Sequence, residues 1–438
     1  MMKPGETITV MAETLSRHGD GVAHHEGCEV HVAGLLPGET GDVELDYVSK
    51  QRPRAHGTAI QRRNTHPGRR PAPCPHHGRC NGCPLMEMDL PSQHVLKREE
   101  LAREYGVEVD RLVVLDGGGQ RYRWSAKRVV HGEPGSLILG SYMRGTHNVA
   151  DMTGCLVDHP DVVRCANELV EQANAIGVEP FDELNEQGDL RYAWFKTDGR
   201  GQVLLTLITA EPRSASIHAL VERLSVPAGI AWGINSTRGN DLRGTSLRPL
   251  LGRQSLTLEI AGVEFHCGPL GFLQPNPAAI ALAYYDLVHV PAGGSPHGRL
   301  ALDLYAGAGV TTALLRERFA EVVPCESYPE SARQLGIEPQ LVEEFLAKIL
   351  AQPRSNALHP DLVVANPPRG GLGPTVCGQL NQLRASRLHL MSCNPRSLRD
   401  DLARLTGADG GYRLIQSRAF DTLPQTAHIE VVAWLVGK

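Results

Sequence analysis

No apolar run in the 438-residue chain approaches the ~20 residues that span a bilayer. The opening Met1-Met2-Lys3-Pro4-Gly5-Glu6 lacks the apolar core of a signal peptide. These absences predict a cytoplasmic protein with no membrane partner. Internal repeats and low-complexity tails are absent too, and nothing points to an obligatory protein partner. Charged residues make up 21% of the chain and the net charge is -5, an ordinary globular composition. One local absence is more telling. Between Lys50 and Met86 there is no Asp or Glu, while Lys50, Arg52, Arg54, Arg62, Arg63, Arg69, Arg70 and Arg79 all fall there. Such a block is a candidate phosphate-binding surface, with a solvated linker as its plainer reading.

The length accommodates about three domains at ~150 residues each. Up to about residue 60, short alternating runs (Ile8–Val10, Gly21–Ala23, Glu29–Val32, Gly41–Leu45) are separated by turn signals at Gly19-Asp20-Gly21 and Leu36-Pro37-Gly38-Glu39. They predict a small β-barrel of the oligonucleotide-binding kind. Ten cysteines in a chain of this class point to metal ligands or catalysis rather than a disulfide framework. Cys74, Cys80 and Cys83 lie within ten residues among Gly and Pro, so their thiolates can surround one centre, either zinc or an iron–sulfur cluster. Cys155, beside Gly154 on a loop, is the first candidate for a fourth ligand. Cys165, in a helical pattern, is its rival.

Residues 120 to 260 read as a mixed, β-rich region. Strands are predicted at Arg121–Trp124, Leu137–Leu139, Ala193–Phe195 and Val203–Ile208, and helices at Asp161–Ala175 and Ser214–Leu224. Arg121-Tyr122-Arg123-Trp124 interleaves bases with aromatics, which suits stacking on RNA or a sheet edge equally.

From about residue 265 strands and helices alternate. Leu300–Leu304 is an apolar strand running into Tyr305-Ala306-Gly307-Ala308-Gly309, and a helix is predicted over Thr311–Phe319. The strand Val322–Cys325 ends in Glu326, an acid placed to take ribose hydroxyls. Together these features point to S-adenosylmethionine or a dinucleotide. Strand Asp361–Ala365 delivers Asn366-Pro367-Pro368-Arg369, whose prolines hold the preceding residue extended at the sheet edge. The next strand, Leu388–Leu390, delivers Met391-Ser392-Cys393-Asn394-Pro395. Ser397–Asp400 reads as a capping box opening a helix. Cys393 therefore stands at the carboxyl end of a strand, the edge where open α/β sheets bind ligands. It is a candidate nucleophile, with an inert buried thiol as the alternative. The last strands are Tyr412–Gln416 and His428–Leu435. Before the second lies Pro424-Gln425-Thr426-Ala427-His428-Ile429-Glu430.

Taken in order, the three clustered cysteines, Tyr305-Ala-Gly-Ala-Gly, Asn366-Pro-Pro-Arg, Ser392-Cys-Asn-Pro and Pro424-Gln-Thr-Ala-His-Ile-Glu430 resemble the RNA uracil-5-methyltransferases. The best likeness is to the 23S ribosomal RNA branch. There the Gly-Asp-Gly-Val-Ala, Val-x-Val and Leu-Pro-Gly-Glu runs of residues 1–62 resemble a TRAM domain, and an iron–sulfur loop follows. The resemblance implies three parts. Residues 1–62 form a TRAM-like, RNA-binding barrel, 63–264 a mixed β-rich central domain holding the iron–sulfur loop, and 265–438 an α/β Rossmann-like methyltransferase domain dependent on S-adenosylmethionine. It also implies Cys393 as nucleophile and Glu430 as base. Cys74, Cys80, Cys83 and Cys155 become ligands of a [4Fe-4S] cluster, and Gln274, Tyr305, Glu326 and Asn366 contacts to the methyl donor. The partner is a structured RNA, 23S rRNA before tRNA.

The chain departs from the family where Asn366 stands in place of an aspartate. Only 40 positions separate Glu326 from Asn366, a spacing that predicts a sheet lacking one edge strand. A relative that binds RNA but has impaired catalysis is the alternative function. Amino-group methyltransferases also carry Asn-Pro-Pro, but they expect an aromatic residue where Arg369 stands and have no use for Cys393.

Overall fold

The computed structural model describes all residues except 1, 17, 116–118, 144–145, 147, 238–245, 291–295 and 353–358. Three large sheets follow one another along the chain. The first takes β1 (Thr7–Met11), β2 (Thr14–Leu15), β3 (Gly21–His25), β4 (Cys28–Ala33), β5 (Thr40–Val48) and β6 (Arg54–Arg62), in the order β1-β5-β6-β4-β3-β2. Its inward residues, among them Val10, Val30, Val32, Val43 and Leu45, alternate with exposed neighbours and form a core of their own.

Helix α1 (Leu90–Tyr105) and the short β7 (Leu112–Val113) come next. Asp89 caps α1 by accepting from the Ser92 N–H at 2.8 Å, and Gly106 ends it in a left-handed conformation. The second sheet is built from β8 (Ser125–His131), β9 (Ile138–Tyr142), β10 (Val149–Asp151), β11 (Leu190–Thr197), β12 (Val203–Thr209), β13 (Gly229–Ile234) and β14 (Ser246–Gly252). Helices α2 (Pro160–Ala175) and α3 (Ala215–Val221) pack on it, and Cys165 is wholly buried in that core. Arg121–Trp124 is not a strand. Arg121 has a φ of 56°, and the strand begins at Ser125.

A hairpin, β15 (Leu256–Ile260) and β16 (Val263–Cys267), leads to α4 (Pro277–Val288) and the third sheet. There β17 (Gly298–Leu304), α5 (Val310–Arg316), β18 (Phe319–Cys325), α6 (Pro329–Leu335), α7 (Val342–Leu350), β19 (Leu362–Ala365), α8 (Gly373–Leu383), β20 (Arg387–Ser392), α9 (Pro395–Thr406), β21 (Tyr412–Phe420) and β22 (Glu430–Gly437) succeed one another. The strand order is β18-β17-β19-β20-β22-β21-β7. The short β7, from the stretch read as central, extends this sheet beside β21.

The strands of this sheet are apolar on both sides because both faces are covered. Leu300, Leu302 and Leu304 face the core under α7, α8 and α9, whereas Ala301 faces the core under α4 and α5. Among the described residues no strand lies between β18 and β19, so β18 is the sheet's edge, as the short spacing predicts. Helix α5 is shorter than predicted: it stops at Arg316, and Phe319 already opens β18. No helix among the described residues is long and apolar enough to cross a membrane.

Tyr412 staples two elements under the sheet. Its hydroxyl accepts from the Ala385 N–H and donates to the Leu380 carbonyl, each at 3.1 Å, and the side chain is fully buried. Tyr412→Phe leaves the Ala385 N–H unpaired, while the Leu380 carbonyl keeps its bond from the Arg384 N–H, an expected cost of about 1–3 kcal/mol, measurable as a lower urea midpoint.

Candidate active site

Five of the predicted residues fall on one edge of the third sheet. Glu326 follows β18, Tyr305 follows β17, Asn366 follows β19, Cys393 follows β20 and Glu430 opens β22. Since β18, β17, β19, β20 and β22 are successive neighbours, these residues stand in that spatial order. The antiparallel register pairs Ser392 with Val431, which sets Cys393 opposite Glu430 one step further on.

The loop that carries Cys393 is tied on both sides of it. The Ser392 hydroxyl donates to the Asn394 carbonyl at 3.1 Å and accepts from the Asn394 N–H at 3.2 Å. Asn394, rather than Ser397, caps α9, accepting from the Arg396 N–H at 3.2 Å, and Pro395 supplies a first turn that needs no N–H. The Asn394 amide also donates to the Arg369 carbonyl at 2.9 Å. On the Arg369 side, buried Asp401 of α9 accepts from the Leu372 N–H at 2.7 Å and the Gly373 N–H at 3.1 Å. Gly371 has a φ of 77° there, and a Cβ would collide with Asp401.

Arg369 is the group that sequence reasoning missed, although Pro-Pro-Arg was in view. It faces both candidate catalytic residues. Burial pushes the Cys393 thiol up, Glu430 adds to the push, and the Arg369 guanidinium opposes both. Burial also raises the Glu430 carboxyl to about 8, with Arg369 again pulling it down. No described group hydrogen-bonds the Glu430 carboxyl, so its oxygens are free to take a proton. His428 is kept neutral by burial and by Arg369, Lys97 and other cations. A cavity of about 160 Å³ opens beside Cys393, lined among others by Arg369, His428, Lys97, Glu100 and Tyr105, and by none of the four donor-site candidates.

Those four lie apart from this cavity, with Glu326, Tyr305 and Asn366 on the strands beyond Cys393. Gln274 precedes Asn276, which caps α4 by accepting from the Ala279 N–H at 3.2 Å. Gln274 hydrogen-bonds Tyr284 of α4, whose hydroxyl burial pushes up to about 12 and which lies near both Glu430 and Asp303. Lys196 holds the approach to Gln274 by donating to the carbonyls of Gly268, Pro269 and Gly271 at 2.5–2.6 Å. Tyr305 has a φ of 60°, and Gly307 follows at 56° with open space where a Cβ would stand. The Glu326 carboxylate accepts from the Gly307 N–H at 2.8 Å and the Tyr328 N–H at 2.6 Å. Asn366 is half-buried, and its N–H donates to the Leu304 carbonyl at 3.3 Å. Buried Asp303, raised to about 6 by burial, accepts from Thr311 and Thr312 of α5 at 2.8 and 2.5 Å.

Cys74, Cys80, Cys83 and Cys155 line one separate cavity of about 60 Å³, and all four are free thiols. Burial pushes the Cys83 thiol up to about 12, and Cys155, Cys80 and Cys74 add to this while Arg123 opposes it. Among the described residues no three His, Cys, Asp or Glu groups converge closely enough to hold one metal ion.

Comparison with known proteins adds four findings. The family model tRNA (Uracil-5-)-methyltransferase matches residues 349–438. An uncharacterized RNA methyltransferase of Geobacter sulfurreducens is 30% identical over all of this chain and 91% of its own. One from Halalkalibacterium halodurans is 26% identical over 98% of this chain and 97% of its own. Among solved structures, the Pyrococcus abyssi tRNA (uracil-54, C5)-methyltransferase in complex with S-adenosyl-L-homocysteine shares the fold. Its TM-score is 0.74 at 20% identity, covering 98% of this chain and 100% of that one.

The electrostatics set a pH dependence for Cys393. With both its thiol and Glu430 raised, Cys393 is expected to be alkylated slowly by iodoacetamide at pH 7. The rate should rise nearly tenfold per pH unit toward pH 9, read by mass spectrometry of its peptide. Glu430→Gln removes a like charge present only above about pH 8, so it should accelerate alkylation there and leave pH 6.5 nearly unchanged. Arg369→Met removes the opposing charge and should slow alkylation roughly tenfold.

Proposed function

The chain belongs to the RNA uracil-5-methyltransferase family, and from that premise we propose that it methylates carbon 5 of a uridine in a structured RNA, with Cys393 as nucleophile and Glu430 as base. The observation that carries this reading is the β20–β22 register, which sets a thiol and an unbonded carboxyl face to face at the sheet edge. Carbon 5 of uracil is a weak nucleophile. Addition of the Cys393 thiolate at carbon 6 breaks the 5,6 double bond and places the electron pair on an enolate, so that carbon 5 can accept a methyl group. S-adenosylmethionine supplies that methyl as an electrophile on sulfur. Glu430 then takes the carbon 5 proton, the double bond re-forms and the Cys393 thiolate leaves. Arg369 favours the thiolate at the start and the end of this cycle. The raised Glu430 suits a base that must later release its proton near neutral pH.

Gln274, Tyr305, Glu326 and Asn366 would hold the methyl donor. The bare backbone at Gly307 and the oriented Glu326 carboxylate, with lone pairs left for ribose hydroxyls, fit such a molecule. The cavity beside Cys393 lies away from these residues and is the place for an extruded base. We read residues 1–62 as a TRAM-like RNA-binding unit, supported by a six-stranded sheet whose β6 lies in the acid-free basic stretch. Cys74, Cys80, Cys83 and Cys155 would hold a [4Fe-4S] cluster with a structural role, supported by four half-buried free thiols that line one cavity. On this reading 23S rRNA is the first substrate. The substrate named for the Pyrococcus abyssi relative makes tRNA the second.

The test pairs unmodified 23S rRNA and tRNA transcripts with two variants. Cys393→Ala should abolish 5-methyluridine while S-adenosylmethionine still binds by calorimetry. Glu430→Ala should transfer methyl but stall as a covalent protein–RNA complex that persists on a denaturing gel. Methylation retained by Cys393→Ala would sink the mechanism.

A further inference from the structure

Helix α1 lines part of the cavity beside Cys393, and its buried face also holds the segment that delivers Glu430. Loop 421–429 joins β21 to β22. Gln93 of α1 is fully buried. Its amide nitrogen lies 2.8–2.9 Å from the carbonyls of Leu85 and Met88 and the side-chain oxygen of Gln425. Its own oxygen accepts from the Gln425 N–H at 3.0 Å. The Gln425 carbonyl accepts from the Leu85 N–H at 2.9 Å, and the Pro424 carbonyl from the Tyr122 hydroxyl at 3.0 Å.

One turn along α1, Lys97 donates to Asp421 at 2.7 Å in a pair almost wholly buried, and His94 lies 3.3 Å from the same carboxylate. Burial works against the Asp421 charge, but Lys97 and His94 outweigh it and hold the carboxyl below its usual range. At the centre of the loop Gln425 has a φ of 69°, a left-handed conformation that costs a non-glycine residue about 1–3 kcal/mol and persists only where surroundings over-determine it. Five residues later the chain reaches Glu430.

Resting on the assignment of Glu430 as base, we propose that Gln93 and Lys97 are positioning residues: they clamp loop 421–429 so that the Glu430 carboxyl faces the base bound to Cys393. The clamp acts on proton removal and not on addition of the thiolate, because Cys393 is held separately by Ser392, Asn394 and α9. Leu85 and Met88 lie two and five residues after Cys83, so the same glutamine joins the end of the cysteine loop to the catalytic loop.

Gln93→Leu and Lys97→Met are assayed on a transcript the wild-type protein methylates, with thermal melting as the check on folding. Expected are a turnover at least tenfold lower, a KM for S-adenosylmethionine within twofold of wild type, and accumulation of the covalent protein–RNA complex. The pH at which the complex resolves should move down, since a loosened loop lets water reach Glu430. Lys97→Arg, which keeps the pair with Asp421, should restore most of the turnover. If Gln93→Leu does not fold, the Lys97 pair decides. Folded variants with wild-type turnover, or ones that lose adduct formation together with turnover, overturn the positioning role. A wild-type protein that forms no adduct at all overturns the uridine mechanism itself.

Discussion

The antiparallel pairing of β20 with β22 is the constraint on which the site depends. A strand's carboxyl end delivers Cys393 and the next strand's amino end delivers Glu430, so one ladder sets the distance between thiol and carboxyl without a flexible intermediary. The parallel strands on the other side, β19, β17 and β18, bring Asn366, Tyr305 and Glu326 to the same edge. A one-residue slip in β22 would turn Glu430 to the other face and put an apolar neighbour before the thiol. Apolar cover on both faces of the sheet, from Leu388, Leu390 and Leu435 on one side to Met391 and Trp434 on the other, prevents that slip.

Burial at that edge has an electrostatic consequence. Burial makes both the thiol and the carboxyl resist ionisation, and Glu430 makes the Cys393 thiolate harder still to hold. Arg369, carried by a loop pinned through Asp401 and Asn394, is the nearby cation that relieves both. The site therefore balances one positive charge against two latent negative ones. That balance suits a cycle in which the thiolate and the carboxylate are needed in turn.

Much of this was legible in the sequence because it is local. Apolar runs ending in Gly307, Asn366-Pro-Pro and Cys393-Asn-Pro announce strand ends at a ligand-binding edge, and the short stretch between Glu326 and Asn366 announces the edge strand β18. Boundaries blurred where two signals compete: Asn394-Pro395 caps α9 ahead of the capping box at Ser397, and Phe319 fits the helical period yet opens β18. Strand β6 went unseen because half its residues are exposed and charged or polar. Helix α1 was invisible for a deeper reason. Its buried face carries Gln93 and Lys97 beside Leu96 and Leu101, which breaks the apolar period, and their partners at Gln425 and Asp421 lie more than 300 residues away. Polar contacts across that separation leave no pattern in a single sequence.

The central claim is that Cys393 bonds to the uridine during methyl transfer. It is tested most directly with transcripts in which 5-fluorouridine replaces uridine, because fluorine at carbon 5 cannot be removed as a proton and the base-catalysed release is blocked. After incubation with S-adenosylmethionine, digestion and mass spectrometry, the peptide containing Cys393 should carry a fluorinated and methylated uridine. No covalent product on a transcript whose unsubstituted form is methylated, or a product on any other residue, would contradict the account.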